Sequence, residues 1–293
     1  MKFVIQNYSS NTTTEPLYFD MCLKQIQGVE TFVWNSNEIS VYDCFDKLKP
    51  DILITDFRVV TNDMIKYLSG SSKIQVLMNI TGASQENMEI VTHILITNNI
   101  ECPFLFNNAP TELTKCLPKS IKIESILSGY DVFAAHAKRN LPDFNIGAGL
   151  VTFNNKDLLN KESKAYETCH KMSIGDPNNG VEADMFLSIY ELASLYHKYN
   201  TVVLVDSLTN VFSQVLYDAL ALAKDVKIVT PEEEKSQIGM IFESVFGRDS
   251  KIEDAKKIIK KKHSCFNRTK RLLEKLKCTN YVDSISKIIE KAS

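Results

Sequence analysis

The chain lacks most of the features that assign a sequence quickly. In 293 residues no apolar run approaches the roughly 20 needed to span a bilayer; pieces such as Thr201–Val205 (TVVLV) are typical of its longest. The opening MKFVIQNYSS holds one lysine followed by only three apolar residues before it turns polar, so it does not read as a secretory signal. A soluble, cytoplasmic protein is expected. The seven cysteines, at 22, 44, 102, 116, 169, 265 and 278, are odd in number and include no CxxC pair, which reads as spare or buried thiols in a reducing compartment. With only 10 Gly and 8 Pro, collagen-like and low-complexity chains are excluded. At 44% hydrophobic and 24% charged residues, so is disorder.

Common site motifs are missing too. No GxxxxGK[ST] occurs, and Gly147-Ala148-Gly149 begins a GxGxxG in which Thr152 stands where the third glycine belongs. The histidines at 93, 136, 170, 197 and 263 show no HExxH or similar ligand spacing, and no GxSxG elbow is present. Hydrolase and metal-enzyme readings therefore gain no support, and no metal site is expected. Lys49–Asp56 places an aspartate at a strand end, as phospho-receiver domains do. The position where such domains carry an acidic pair reads Gln6-Asn7-Tyr8, so the Mg²⁺ site is absent.

What is present is an uneven charge. Net charge is −2, yet residues 251–277 carry 11 Lys/Arg against 3 Asp/Glu, a local +8 that leaves −10 for the rest. Two readings stand: a solvated helix face, or a patch for the phosphates of a polyanion or nucleotide.

Short β-rich runs alternate with amphipathic helical stretches. Strands are expected at Lys2–Gln6, Glu30–Trp34, Ile52–Thr55, Ile74–Met78, His93–Thr97, Phe104–Phe106 and Ile121–Ile126. Helices are expected at Glu15–Gln27, with Thr14 as N-cap and Pro16 in the first turn, and at Val41–Leu48. After a polar interval at 154–164 the alternation resumes: strand Lys171–Ile174, the turn Gly175–Gly180, helix Phe186–Tyr199, strand Thr201–Val205, helix Val211–Ala223 and strand Val226–Val229. Three helical segments close the chain at 251–262, 265–277 and 280–291. The β-α-β order with short links implies parallel sheets in an α/β fold, as two units and a helical tail.

Three polar loops lie at the carboxyl ends of expected strands, where open α/β sheets bind ligands: Asn7–Glu15, Gly175–Gly180 and Asp206–Gln214. Each is rich in Ser, Thr, Asn and Asp, and two run into a helix start that favours an anion. The same residues also favour plain turns and caps.

Several segments together resemble nucleotide-sugar glycosyltransferases of the two-Rossmann-domain kind (GT-B), in particular the spore-maturation-protein-like and phage-encoded DNA-modifying groups. The first strand and polar loop, "GVETFVW" and Lys49–Thr55 are similar to that family's opening units. "KMSIGDPNNG" is similar to its strand ending in a glycine loop, and Tyr217-Asp218-Ala219-Leu220-Ala221 to its "fEalA.G" helix. "KKKHSCFNRTKRLLEKL" resembles the closing helix that returns to the first domain. Three departures accompany the likeness: Asp for Glu at 218, Ala223-Lys224-Asp225 where a glycine is expected, and a short second domain.

The resemblance implies two Rossmann-like domains facing a cleft: an acceptor domain at 1–160, a short donor-binding domain at 161–250, and helices at 251–293 packing back toward the first. It implies metal-independent transfer of a sugar from a nucleoside-diphosphate sugar, with UDP the expected nucleotide, to an acceptor hydroxyl. No cofactor beyond the donor substrate is expected. A modified base in phage DNA, held through the basic tail, is one acceptor, which would place the protein in a host cytoplasm. Asp218 inherits the contact to the ribose hydroxyls. Gly175, Asp176, Ser207, Thr209, Asn210, Ser213 and Gln214 form the donor side, near a helix start that would stabilise the leaving diphosphate. Asn7, Tyr8, Ser9, Ser10 and Asn11 form the acceptor side. A base is needed if transfer inverts; Glu15 or Asp20 is nominated, with His136 behind them, although Glu15 also suits a first-turn partner of the helix dipole. The alternative is a non-catalytic nucleotide- or sugar-binding protein on the same α/β pair.

Overall fold

The computed structural model describes residues 1–8, 14–70, 73–108, 121–133, 147–174, 178, 180–248 and 251–292. The chain divides into two compact units. Unit 1 comprises Met1–Ser9, Glu15–Leu127 and Phe266–Ser293, and unit 2 comprises Ser10–Thr14 and Ser128–Cys265.

In unit 1 strands and helices alternate: β1 (Lys2–Gln6), α1 (Glu15–Leu23), β2 (Glu30–Trp34), α2 (Val41–Leu48), β3 (Ile52–Asp56), α3 (Asn62–Gly70), β4 (Gln75–Asn79), α4 (Gln85–Thr97), β5 (Leu105–Asn107) and β6 (Ile123–Ser125). The six strands form one parallel sheet in the order β2-β1-β3-β4-β5-β6. Runs such as Ile52–Asp56 are buried along their whole length, as a parallel strand covered on both faces requires. Trp34 meets Phe45 of α2 edge to face at 5.4 Å, in a core that also holds Leu53, Met64, Met78 and Val91.

Unit 2 contains β7 (Ala148–Thr152), α5 (Lys156–Ser163), β8 (Cys169–Ile174), β9 (Met185–Leu187), α6 (Ile189–Leu195), β10 (Thr201–Val205), α7 (Leu208–Val211), α8 (Gln214–Leu222), β11 (Asp225–Val229), α9 (Lys235–Phe246) and α10 (Ile252–Lys262). Its five parallel strands run β11-β10-β7-β8-β9. Counted within the unit this is the Rossmann order, with the first strand in the middle and the chain turning from one side of it to the other between β9 and β10. The closing helices α11 (Cys265–Lys275) and α12 (Thr279–Ala292) group with unit 1 from Phe266 onward.

The α/β class, with two Rossmann-like parallel sheets and a C-terminal helical segment, is thus present. Several local expectations change. Residues 93–97 are the end of α4, not a strand: Met88, Val91 and Leu95 form a helical stripe that begins at the Ser84 N-cap. Phe186 belongs to strand β9, and the helix starts after it because Ser188 and Glu191 make a capping box. The interval at 154–164 holds α5, capped by Asn155. Sheet membership also divides the chain elsewhere than at 160/161. β7 is the central strand of the second sheet, and α10 stays in unit 2 rather than opening the tail. β7 escapes a sequence reading because Gly149 lies inside it. A Cβ there would come within 2.6 Å of Met172 and 2.9 Å of Tyr199, so the strand needs glycine for close packing rather than for a phosphate loop.

Candidate functional site

The switch in strand order puts the carboxyl ends of β7 and β10 side by side in unit 2, which is where open sheets of this order take ligands. Asp206, the residue after the apolar run of β10, is 3% exposed and joins the two loops that leave these strands. Its Oδ2 accepts from Thr152 Oγ1 (2.8 Å), the Phe153 amide (2.7 Å) and the Asn154 amide (3.3 Å). Its Oδ1 accepts from the Ser207 amide and Asn210 Nδ2, both at 2.8 Å. Five donors on one carboxylate hold residues 152–154 and 206–210 as a single rim.

On that rim stand four of the donor-side residues expected from sequence. Ser207, Asn210 and Ser213 are partly exposed and Thr209 is exposed. Ser207 Oγ and Thr209 Oγ1 are 3.4 Å apart. The expected helix at 211–223 is instead two. Ser213, extended at ψ −171°, breaks the path and caps α8 by accepting from the Val215 amide at 3.4 Å. The short α7 has its first amide already occupied, since Leu208 N–H donates to Glu234 Oε2 at 2.7 Å.

Gln214 and Asp218 point elsewhere. Gln214 Nε2 donates to Thr14 Oγ1 (2.8 Å) and Asp218 Oδ2 (3.3 Å), and its Oε1 accepts from the Thr14 amide at 3.3 Å. Asp218 Oδ1 accepts from the Asp131 amide at 2.9 Å, and Asp131 Oδ2 accepts from Thr14 Oγ1 at 2.8 Å. Asp218 is completely buried. Burial, reinforced by the charge of Asp131, pushes its carboxyl well above the usual carboxylate range, against the hydrogen bonds from the Asp131 amide and Gln214. The carboxyl nominated for a ribose therefore organises the 128–133 segment in this structure. Gly175 and Asp176 lie outside the described residues.

In unit 1 the two nominated bases are both engaged. Glu15 is 1% exposed and takes four donors: Arg268 Nη2 and Tyr18 Oη (3.2 Å) on Oε1, and Tyr8 Oη and Asn79 Nδ2 (both 2.9 Å) on Oε2. Arg268 also donates to the Ile126 carbonyl and lies over the rings of Phe19 (5.7 Å) and Phe106 (5.9 Å). Asp20 turns to the residue just past α1 and to β2, accepting from Lys24 Nζ (2.6 Å) and Thr31 Oγ1 (2.5 Å). On the acceptor side, Tyr8 is buried, and burial followed by the charge of Glu15 raises its phenol well above the usual value. The Asn7 amide donates to the Trp34 carbonyl at 2.7 Å. Ser9, Ser10, Asn11 and His136 lie outside the described residues.

Sequence reasoning missed Thr152, the role of Asp206 within its loop, and Arg268. A hydroxyl ending one buried strand and an aspartate ending another were the available signals for the first two. The basic tail concealed the third. That tail is also less uniform than its charge: Arg268 is buried, Lys275 pairs with Glu124 at 2.5 Å, and Lys256 donates to the Lys224 carbonyl. Lys257, Lys260 and Lys261 of α10 remain exposed. Among the described residues no group of three or more His, Cys, Asp or Glu side chains could hold a metal ion, and no helix is long and apolar enough to cross a membrane.

Neither a family model nor a curated protein matches the chain. Solved structures do resemble it. The glycotransferase of kitacinnamycin is 9% identical, covering 99% of this chain and 98% of its own at a TM-score of 0.45. The calicheamicin glycosyltransferase CalG4 is 9% identical, covering 99% and 97%, at 0.38. The S. aureus MnaA–UDP co-structure is 10% identical, covering 97% and 90%, at 0.45. These likenesses are long but loose, and the site rests on this chain's own residues.

Proposed function

We propose that the chain is a glycosyltransferase that holds a nucleoside-diphosphate sugar, UDP-linked, on the β7/β10 rim of unit 2. The observation that carries this reading is the rim itself. A Rossmann-order sheet brings Ser207, Thr209, Asn210 and Ser213 to the carboxyl edge, on loops tied down by Asp206. Hydroxyls and amides fixed in place can donate to diphosphate oxygens as charge builds on the leaving group, with little reorganisation at the moment of transfer. Such donors need no metal ion, so transfer is proposed to be metal-independent.

A second reading, nucleotide-sugar binding without transfer, is favoured by the engagement of Glu15 and Asp20 in structural bonds. Incubating the protein with UDP-, GDP- and dTDP-sugars separates the two. Thermal stabilisation by a UDP-sugar together with slow acceptor-free hydrolysis supports a transferase; stabilisation without hydrolysis supports binding alone; neither effect removes both.

For the acceptor, we propose DNA held through the basic tail 251–277, with the exposed lysines of α10 among its contacts. That role predicts that Lys257→Glu with Lys260→Glu lowers the salt slope of DNA affinity by about 2. A slope unchanged by both substitutions takes DNA off this surface.

A further inference from the structure

We propose that unit 1 carries a binding site for a small neutral ring compound, in a cavity flanked by α3 and α4. The cavity measures about 240 Å³. Ile65 of α3 and Ile90, Val91 and Ile94 of α4 line it, joined by Phe57 from the turn after β3 and Met78 from β4. An apolar cavity on the order of 150 Å³ already takes up benzene, so this one has room for a substituted ring.

The lining sets the chemistry. None of its residues carries a charge, so an ion placed there would gain no charged partner. The polar members are Asn62, at the start of α3, and Asn87, in the first turn of α4. Amides at that end suit a ligand with an apolar body and one hydrogen-bonding group such as a hydroxyl. Val91 and Met78 belong to the core of the unit, which makes the inner wall preformed, while Ile90 is left 51% exposed.

Position agrees with size and lining. Phe57 directly follows β3, and Met78 is the last residue but one of β4. The cavity therefore lies toward the carboxyl edge of the sheet, where parallel α/β units take ligands. These three features select a hydroxyl-bearing ring over a phosphate or an extended peptide. The site does not depend on the sugar-transfer reading.

Isoleucine-methyl NMR on the full chain tests it, with p-cresol as the probe and phenyl phosphate as the charged counterpart. The expected result is saturable shifts at Ile65, Ile90 and Ile94 with p-cresol, and at least tenfold weaker binding of phenyl phosphate. Ile90→Trp, at an exposed position, is expected to fill the mouth and remove the shifts at Ile65 and Ile94 while leaving the melting curve in place. Ile94→Phe gives the same test one turn further along α4. Shifts that are absent or spread over the surface, equal affinity for phenyl phosphate, or undiminished binding in a folded Ile90→Trp protein would overturn the proposal.

Discussion

Arg268 and Glu15 are 253 positions apart in the chain and form one buried ion pair, with side chains 0% and 2% exposed. A pair of this kind adds little net stability over an apolar replacement, but losing one partner strands the other charge away from water. Arg268→Met is therefore expected to cost about 3–5 kcal/mol in urea unfolding. Adding Glu15→Gln, which keeps acceptor and donor atoms near Tyr8 and Asn79, is expected to recover part of the loss. A double variant as unstable as the sum of its parts would deny the coupling.

Asp218 makes the opposite argument. Its folded carboxyl holds a proton more tightly than the ordinary group, which ionises near pH ~3.9 in the unfolded chain. The stability this confers is complete below about pH 4 and is lost as pH rises through the elevated folded value. Asp218→Asn carries no such titration. The wild type is thus expected to lose stability relative to the variant as pH rises above about 4, the ordinary carboxylate value, and parallel profiles would refute the raised value.

At the level of loops and elements, Asp206 acts as a clasp between two strand ends. Asp206→Asn replaces one acceptor oxygen with a donor, facing either the Thr152, Phe153 and Asn154 donors or the Ser207 and Asn210 donors. A loss of about 2–3 kcal/mol is expected in urea melts, the scale of hydrogen bonds to a charged group. A loss below about 0.5 kcal/mol, within the range of ordinary surface substitutions, would show that the loops hold without it.

A second joint lies where Gly129–Asp131 runs beside His263–Cys265, with Tyr130 N–H donating to the His263 carbonyl and Cys265 N–H to the Tyr130 carbonyl, both at 2.9 Å. A Cβ on Gly129 would sit 2.7 Å from the Ser264 carbonyl oxygen. Gly129→Ala is expected to cost about 1–3 kcal/mol because backbone, not a flexible side chain, must give way. Neither joint is visible in sequence, since each depends on residues brought together by strand order.

What could be read from the sequence follows the same logic. Buried parallel strands carry continuous apolar runs, Phe3–Ile5 in β1 and Val202–Val205 in β10, and show plainly. The run at 93–97 resembles them in composition, and only the stripe and cap upstream reveal a helix.

Across the whole molecule, alternating elements were enough to give two parallel α/β sheets, but not their limits. β7 joins the second sheet although it precedes the expected boundary, and the basic tail is shared: α10 lies with unit 2, while Arg268 is buried in unit 1. The candidate site was legible as a loop composition, Ser-Leu-Thr-Asn followed by Val-Phe-Ser-Gln. Which of those side chains reach solvent and which turn inward was decided by contacts with Thr14 and Asp131, far away in sequence.

The rim's proposed role in holding a nucleotide sugar can be measured directly by titrating the intact chain with UDP-glucose, following calorimetric heat and backbone amide shifts together. Saturable binding with shifts centred on residues 153–155 and 207–213, weakened about tenfold by Thr209→Val, is the predicted result; a tenfold change corresponds to about 1.4 kcal/mol. Absence of binding, or saturable binding whose shifts fall away from those loops and ignore Thr209→Val, would contradict it.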